Sequence, residues 1–387
     1  MNQGVLWFRP KAQVGVKAVP KRERIVLIDM LRGVAMVVMA LDHSGFFART
    51  DYTAESVAGV RPELGRLPHV LTGLATNIAT PIFYLLAGTS VAFFESSRRK
   101  RAWTEWQISR FLLIRALILI VFDRINQHVI YGEPQNMGVL SGLACALVIL
   151  SLVRMLPLRV VAIAGSAAFL GHPLLVAHYG FFPAEHFSPV IKVLIIHDWS
   201  APPYVEFPIM GWSTVALLGY VLGRLLLRKQ ITITPRLLWV ALGGFLVWFG
   251  LRLGGGFGNF LPYDSDQPLV YFFVMNKQPP SIAYLLFNLS WALWILVLLQ
   301  QLQSRFPGTL VERMLTTFGQ TALFFFVVHL YLYGKVISEV IPPTFLSGAG
   351  IVRGYLEFAM GIAILYPLCA AYNRVRRSRP NSILRYL

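Results

Sequence analysis

The chain has 387 residues, 56% of them hydrophobic and only 14% charged, with a net charge of +17. A soluble protein of this composition would lack the polar surface it needs, and apolar runs along nearly the whole length mark a polytopic membrane protein with no room for a separate soluble domain. The charge does not point to nucleic acid: 24 of the 35 Lys and Arg fall in the two tails and in every second connection, near 98–110, 154–159, 224–236 and 305–313. This positive-inside pattern predicts both termini in the cytoplasm.

Residues 1–24 read as a basic cytoplasmic tail, since they lack the apolar core and small-residue cleavage site of a signal peptide. The first predicted helix, 25–47, is apolar enough to cross a membrane yet carries Asp29, Arg32, Asp42 and His43. Charged groups inside a membrane are costly and default to a functional role. Arg32 and His43 are three helical turns apart, about 16 Å, and share one face. Asp29 lies one turn from Arg32 on nearly the same face. A polar loop containing Asp51 and Glu55 then leads to His69 and to a second helix, 70–94, with Thr80-Pro81 and Gly88-Thr89-Ser90. A proline within a membrane helix frees a backbone carbonyl that a neighbour must satisfy. The small residues permit close helix approach.

The third helix, 111–131, ends in a polar stretch with Asp123, Arg124 and His128. Further helices are expected at 137–154, 160–178, 206–226, 237–254, 281–301, 315–335 and 350–371. His329 falls inside the ninth. Arg353 and Glu357, four apart in the tenth, suit an intrahelical pair. His178, His186 and His197 lie in a long outer connection, and GGGFG at 254–258 reads as a turn. Cys145 and Cys369 sit in separate apolar runs without metal-ligand neighbours, so neither a disulfide nor a metal site is expected. The expected fold is therefore all-α: one transmembrane domain over 25–371 with about ten spans, followed by a basic cytoplasmic tail, 372–387. No internal repeat is visible.

The polar residues gather at the outer ends of the helices. A neutral imidazole near pH 7 is a natural general base, and His43 and His69 could share one cavity there. Arginine suits an oxyanion. A base and an arginine on one stripe suit group transfer across the bilayer, with the donor entering from inside and the acceptor from outside. Asp123, Arg124 and His128 would shape the outer cavity, with Lys277, Ser281 and Tyr284 lining it. His329 would pack or hydrogen-bond between helices. A proton-coupled small-molecule transporter fits the same features; consumption of an acyl donor separates the two readings. A scaffold without catalysis would tolerate loss of both Arg32 and His43.

LIDMLRG followed by the ten-residue gap between Arg32 and His43 resembles the Arg–ten residues–His motif of acyltransferase family three. TPIFYLLAGTS at 80–90, MGVLSGLACALVILSLVRMLP at 137–157, GWSTVALLGYVLG at 211–223, KQPPSIAYLL at 277–286 and FFFVVHLYL at 324–332 resemble the related bacterial membrane proteins similar to heparan-alpha-glucosaminide N-acetyltransferase. The resemblance implies transfer of an acetyl or other acyl group from cytoplasmic acyl-CoA, with acetyl-CoA as co-substrate and no metal, to a hydroxyl or amine of a glycan or amino sugar outside. It implies Arg32 and His43 as functional positions and a bacterial inner-membrane location among lipids; a homodimer is allowed but not required. In the glucosaminide branch the His43 position can be Asn and the active histidine precedes the second helix. Here both positions carry His, counting His69, but the spacing from His69 to the second-helix motif departs from that branch. A heparan acceptor is not implied.

Overall fold

The computed structural model describes residues 21–50, 52–181, 187–341, 350–379 and 382–386. The expected tail before residue 21, together with Asp51 and His186, lies outside them. Seven helical stretches among the described residues are long and apolar enough to cross a membrane. Large apolar side chains such as Ile163, Leu174, Trp239 and Leu246 point outward. On a water-soluble protein they would form an outsized exposed apolar patch; here lipid is their natural cover.

Helix α1 (Lys21–Phe47) runs through the centre of the molecule. The stretch expected as one second helix is two: α2 (Leu67–Thr76) and α3 (Ala79–Arg99). Pro81 has no N–H for the carbonyl of Asn77, one turn earlier, so the α-helical ladder is interrupted there. The freed oxygen accepts a hydrogen bond from Tyr284 Oη at 2.8 Å. Next come α4 (Glu105–Asn126), α5 (Val139–Val153) and α6 (Leu158–Tyr179), with a π-helical turn, Gln127–Tyr131, after α4. A short α7 (Pro189–Leu194) precedes α8 (Ile209–Leu227), α9 (Leu237–Gly254) and α10 (Ile282–Arg305).

The expected ninth helix is also broken. α11 (Leu310–Gln320) and α12 (Ala322–Tyr331) meet at Thr321, whose φ of −114° and ψ of 29° leave the helical region. After a π-helical turn and the single-turn α13 (Ser338–Val340), α14 (Ile351–Ser378) completes the bundle. α14 continues beyond the expected end of the tenth helix, and the Arg353–Glu357 pair forms on it at 2.8 Å.

Close packing depends on glycine at a few points. A Cβ on Gly88 of α3 would lie 1.8 Å from the Ala216 carbonyl oxygen of α8, and one on Gly219 of α8 would lie 2.0 Å from that of Leu85. α1 and α11 approach as closely: a Cβ on Gly33 would lie 2.0 Å from Leu315 O and one on Gly319 1.8 Å from Asp29 O. These contacts are backbone against side-chain-free backbone, the close approach that small residues allow between membrane helices.

The otherwise helical fold includes two short parallel strand pairs in the loops. β1 (Glu55–Val57) pairs with β4 (Met275–Gln278), setting Glu55 opposite Met275 and Ser56 opposite Asn276. β2 (Asn136–Met137) pairs with β3 (Tyr204–Val205). Buried Arg252, at the end of α9, holds the loop before β4 by donating to the carbonyls of Leu261, Tyr271 and Phe272. Within that loop Gly255 and Gly258 take positive φ, 63° and 76°, which glycine adopts without steric cost. Cys145 and Cys369 are free thiols.

Candidate active site

The stripe on α1 ends in two differently built environments. Towards the N-terminus, Arg32 donates to Asp29 Oδ1 at 2.9 Å, to the Gly319 carbonyl at 3.0 Å and to Ser90 Oγ at 2.6 Å. The Gly319 oxygen is available because the helix breaks at Thr321. Carbonyls at a helix C-terminus lack intrahelical partners and favour cations. Arg376 uses the same break, donating to the Gln320 carbonyl at 2.8 Å. Arg32, Arg115 and Arg376 line a cavity of about 420 Å³, with Asp29 as its acidic member.

At the other end of the stripe, His43 Nδ1 lies 2.7 Å from His329 Nε2, with the ring planes 9° apart. His329 is fully buried, and its Nδ1 lies 3.1 Å from the Phe325 carbonyl oxygen. A carbonyl only accepts, so that Nδ1 carries a proton. In a neutral ring Nε2 is then unprotonated and accepts from His43 Nδ1–H. His43 Nε2 is left as the basic nitrogen, and His43 lines a second cavity of about 290 Å³. Phe83, Val139 and Phe326 line both cavities, so the two meet at an apolar constriction.

The charged side chains lining the His43 cavity are mostly acidic. Asp42, Glu55, Asp123 and Glu206 line it, with Lys277 as its cation. The β1–β4 pairing brings Lys277 Nζ to 2.8 Å from Glu55 Oε1. Burial works against the Lys277 ammonium, but Glu55, with Tyr284 and Asp42, holds its pKa above the usual lysine range. Asp42 accepts from Thr76 Oγ1 at 2.9 Å. Asp123 accepts from Ser141 Oγ and the Gly138 N–H at 2.5 and 3.0 Å and pairs with Arg124 at 2.7 Å. Among the described residues Glu206 has only long contacts, from Asn136 Nδ2 and Gln278 Nε2 at 3.4 Å each. Burial pushes its carboxyl up, and the neighbouring Gln278 and Lys277 only partly offset this.

Other expected site residues stand elsewhere. His69 lies outside the residues lining the His43 cavity. Its ring is 6.1 Å from that of Tyr52, and its Nδ1 has no hydrogen-bond partner among the described residues. Arg124 holds Asp123 from behind, also donating to the carbonyls of Pro134 and Asn136. His128 is exposed on the π-helical turn. Ser281 is the N-cap of α10, accepting from the Tyr284 N–H at 3.1 Å, and Tyr284 satisfies the Asn77 carbonyl. Both are buried, and neither lines the cavity. His197 is buried beside Asp198, and burial lowers its pKa to about 4.

Sequence reasoning missed Glu55, Asn126, Asn136 and Glu206 on the His43 side and Arg115 and Arg376 on the other. Arg115 carried the one available signal, a charge within a long apolar run. Among the described residues no cluster of His, Cys, Asp and Glu could hold a metal ion.

A comparison with curated proteins finds no match. The sequence model of a family described as heparan-alpha-glucosaminide N-acetyltransferase, catalytic, matches residues 24–250, more than half of the chain and all of the Arg32–His43 stripe. The chain therefore belongs to the heparan-alpha-glucosaminide N-acetyltransferase catalytic family.

Proposed function

We propose that the protein is a membrane acyltransferase that moves an acetyl or other acyl group from cytoplasmic acyl-CoA to a hydroxyl or amine of a sugar on the far side of the bilayer. The observation that carries this reading is the pair of cavities meeting at Phe83, Val139 and Phe326, one with three arginines and the other with a histidine base. In this reading the arginine cavity and both termini face the cytoplasm, which the basic connections and tails support, and the membrane is a bacterial inner membrane.

Arg32, Arg115 and Arg376 would hold the anionic donor, with its thioester directed at the constriction. The acceptor enters the His43 cavity. His43 Nε2 takes the proton from its hydroxyl or ammonium-derived amine as that atom bonds to the acyl carbon. The carbon–sulfur bond breaks, and the thiolate of CoA leaves towards the arginine cavity. His329 holds the His43 ring and its tautomer, and stabilises the cation formed when Nε2 is protonated. His69 is given no chemical step. A transporter reading would share the charged stripe, but it gives no reason for a basic cavity and a separate histidine cavity to meet at one apolar point.

The test uses purified protein in nanodiscs with acetyl-labelled acetyl-CoA and sugar acceptors. Label transfer that depends on His43 is expected. Sugar uptake into vesicles without consumption of acetyl-CoA would favour the transporter and sink this reading.

A further inference from the structure

Three features of the His43 cavity concern what it accepts. First, its charge is not balanced. Glu55 is paired with Lys277 and Asp123 with Arg124. Asp42 and Glu206 form no ion pair identified among the described residues, and the Lys277 near them is already paired with Glu55. Second, the cavity holds polar groups with nothing to bond. Among the described residues, Asn126, 2% exposed, has no partner for its Nδ2 or its Oδ1, and Asn136, likewise 2% exposed, has none for its Oδ1. Buried polar atoms are normally satisfied, so such groups call for an explanation. A bound ligand bearing both donors and acceptors, as sugar hydroxyls are, supplies one. Third, Trp199, 55% exposed, lines both this cavity and a shallow pocket of about 120 Å³ that continues outward past Glu133. A second sugar ring leaving the cavity would cross an indole and meet another carboxylate.

The volume of about 290 Å³ suits one monosaccharide-sized group, at the lower end for small-molecule sites. A carboxylate or sulfate on that group would add a further anion to a partly desolvated site already holding two unbalanced ones, and like charges brought together at an interface are strongly discriminated against. The contrast with the arginine cavity is complete: one side of the constriction is built for an anion and the other against it.

We infer that the acceptor is a sugar unit without acidic substituents, neutral or amine-bearing, held by Asn126 and Asn136 and selected by Asp42 and Glu206 against uronic acids and sulfated sugars. This rests on reading the His43 cavity as the acceptor side.

The test measures binding of four methyl glycosides to the full chain in nanodiscs without acyl-CoA: glucose, glucosamine, glucuronic acid and glucosamine 6-sulfate. Acetyl transfer is measured in parallel. The neutral and amine-bearing sugars are expected to bind at least tenfold more tightly than the acidic pair. Asp42→Asn combined with Glu206→Gln should bring that ratio within threefold, while Asn126→Ala should weaken all four and leave the ratio alone. Equal or tighter binding of the acidic sugars, an unchanged ratio in the double variant, or no binding by any of the four overturns the inference. Selective binding without acetyl transfer would leave the sugar selectivity of the cavity standing and remove the acyltransferase reading instead.

Discussion

His43 and His329, 286 positions apart, are joined by a 2.7 Å contact between Nδ1 and Nε2, and the Phe325 carbonyl fixes the direction of that bond. In the proposed mechanism this relation makes His43 Nε2 the base and His329 the residue that positions it. His43→Ala should lower acetyl transfer by about 10²–10⁴-fold, the usual contribution of a positioned general base. His329→Ala removes the acceptor for His43 Nδ1–H and should cost about tenfold or more, because an unpaired buried donor frees the ring to reorient. His329→Gln can still accept from Nδ1 through its amide oxygen and should recover most of that loss. Equal activity of the Ala and Gln variants would show that His329 is packing alone.

The arginine cavity gives a different kinetic signature. Arg115 lines it and belongs to no ion pair identified among the described residues. Arg115→Ala should raise KM for acetyl-CoA several-fold and leave kcat within about twofold, the pattern of an interaction made equally in the ground and transition states. Arg32→Lys should do more. One ammonium cannot reproduce a guanidinium fork that contacts Asp29, Ser90 and Gly319 together. Steady-state kinetics across an acetyl-CoA series distinguishes these outcomes from a uniform fall in kcat.

His69 tests the site by exclusion. It packs near Tyr52, away from the His43 cavity. His69→Ala should therefore leave acetyl transfer within about threefold, against the 10²-fold or greater loss expected for removal of a general base. A loss on the scale of His43→Ala would restore it to the mechanism.

The contrast between His43 and His69 also marks where sequence reasoning reaches and where it stops. The Arg32–His43 stripe was legible because one helix carries both residues and helical geometry fixes their relation. The carbonyl freed near Thr80-Pro81 was legible in kind, since the missing N–H is a property of proline, whereas the division into two helices was not. That Tyr284, 207 positions away, satisfies the freed carbonyl was not. The same distance in sequence hid the Glu55–Lys277 pair, which depends on a parallel strand pairing between loops, and the His43–His329 contact. The break in the ninth helix has no proline to announce it. Its effect, the two carbonyls that hold Arg32 and Arg376, emerges only from packing.

The connection that carries Asp198 should be sensitive to acid. Burial tends to raise the Asp198 carboxyl, but Lys192, which contacts it directly, and two hydrogen bonds from Ser200 outweigh this and hold it below the usual aspartate range. A depressed folded-state pKa stabilises at pH values above the unfolded pKa, about 3.9, and that contribution is lost as pH falls through the folded value. Amide exchange in 189–205, corrected for intrinsic rates, should thus quicken in two steps as pH falls: between about pH 6.5 and 4, where buried His197 resists the proton that the unfolded chain takes up, and again below about pH 4 as Asp198 is protonated. Asp198→Asn should remove the lower step alone and give quicker exchange at neutral pH. A wild-type profile without the lower step would show that the pair does not hold this connection.

Gly319 links packing to the donor side. A Cβ there would lie 1.8 Å from Asp29 O, 2.7 Å from its carbonyl carbon and 3.1 Å from its Cα. All three are backbone atoms, so no rotamer change relieves the contact and α11 must move away from α1. Overpacking of this kind costs about 1–3 kcal/mol. It would also draw the Gly319 carbonyl away from Arg32, which now lies 3.0 Å from it. Gly319→Ala should consequently lower the thermal midpoint and raise KM for acetyl-CoA together. Gly243→Ala, on α9 where a Cβ meets nothing within 4 Å, is the control and should change neither. A Gly319→Ala protein with lowered stability but unaltered KM would separate the α1–α11 contact from the placement of Arg32, and would mean that Asp29 and Ser90 suffice to hold the guanidinium where the donor needs it.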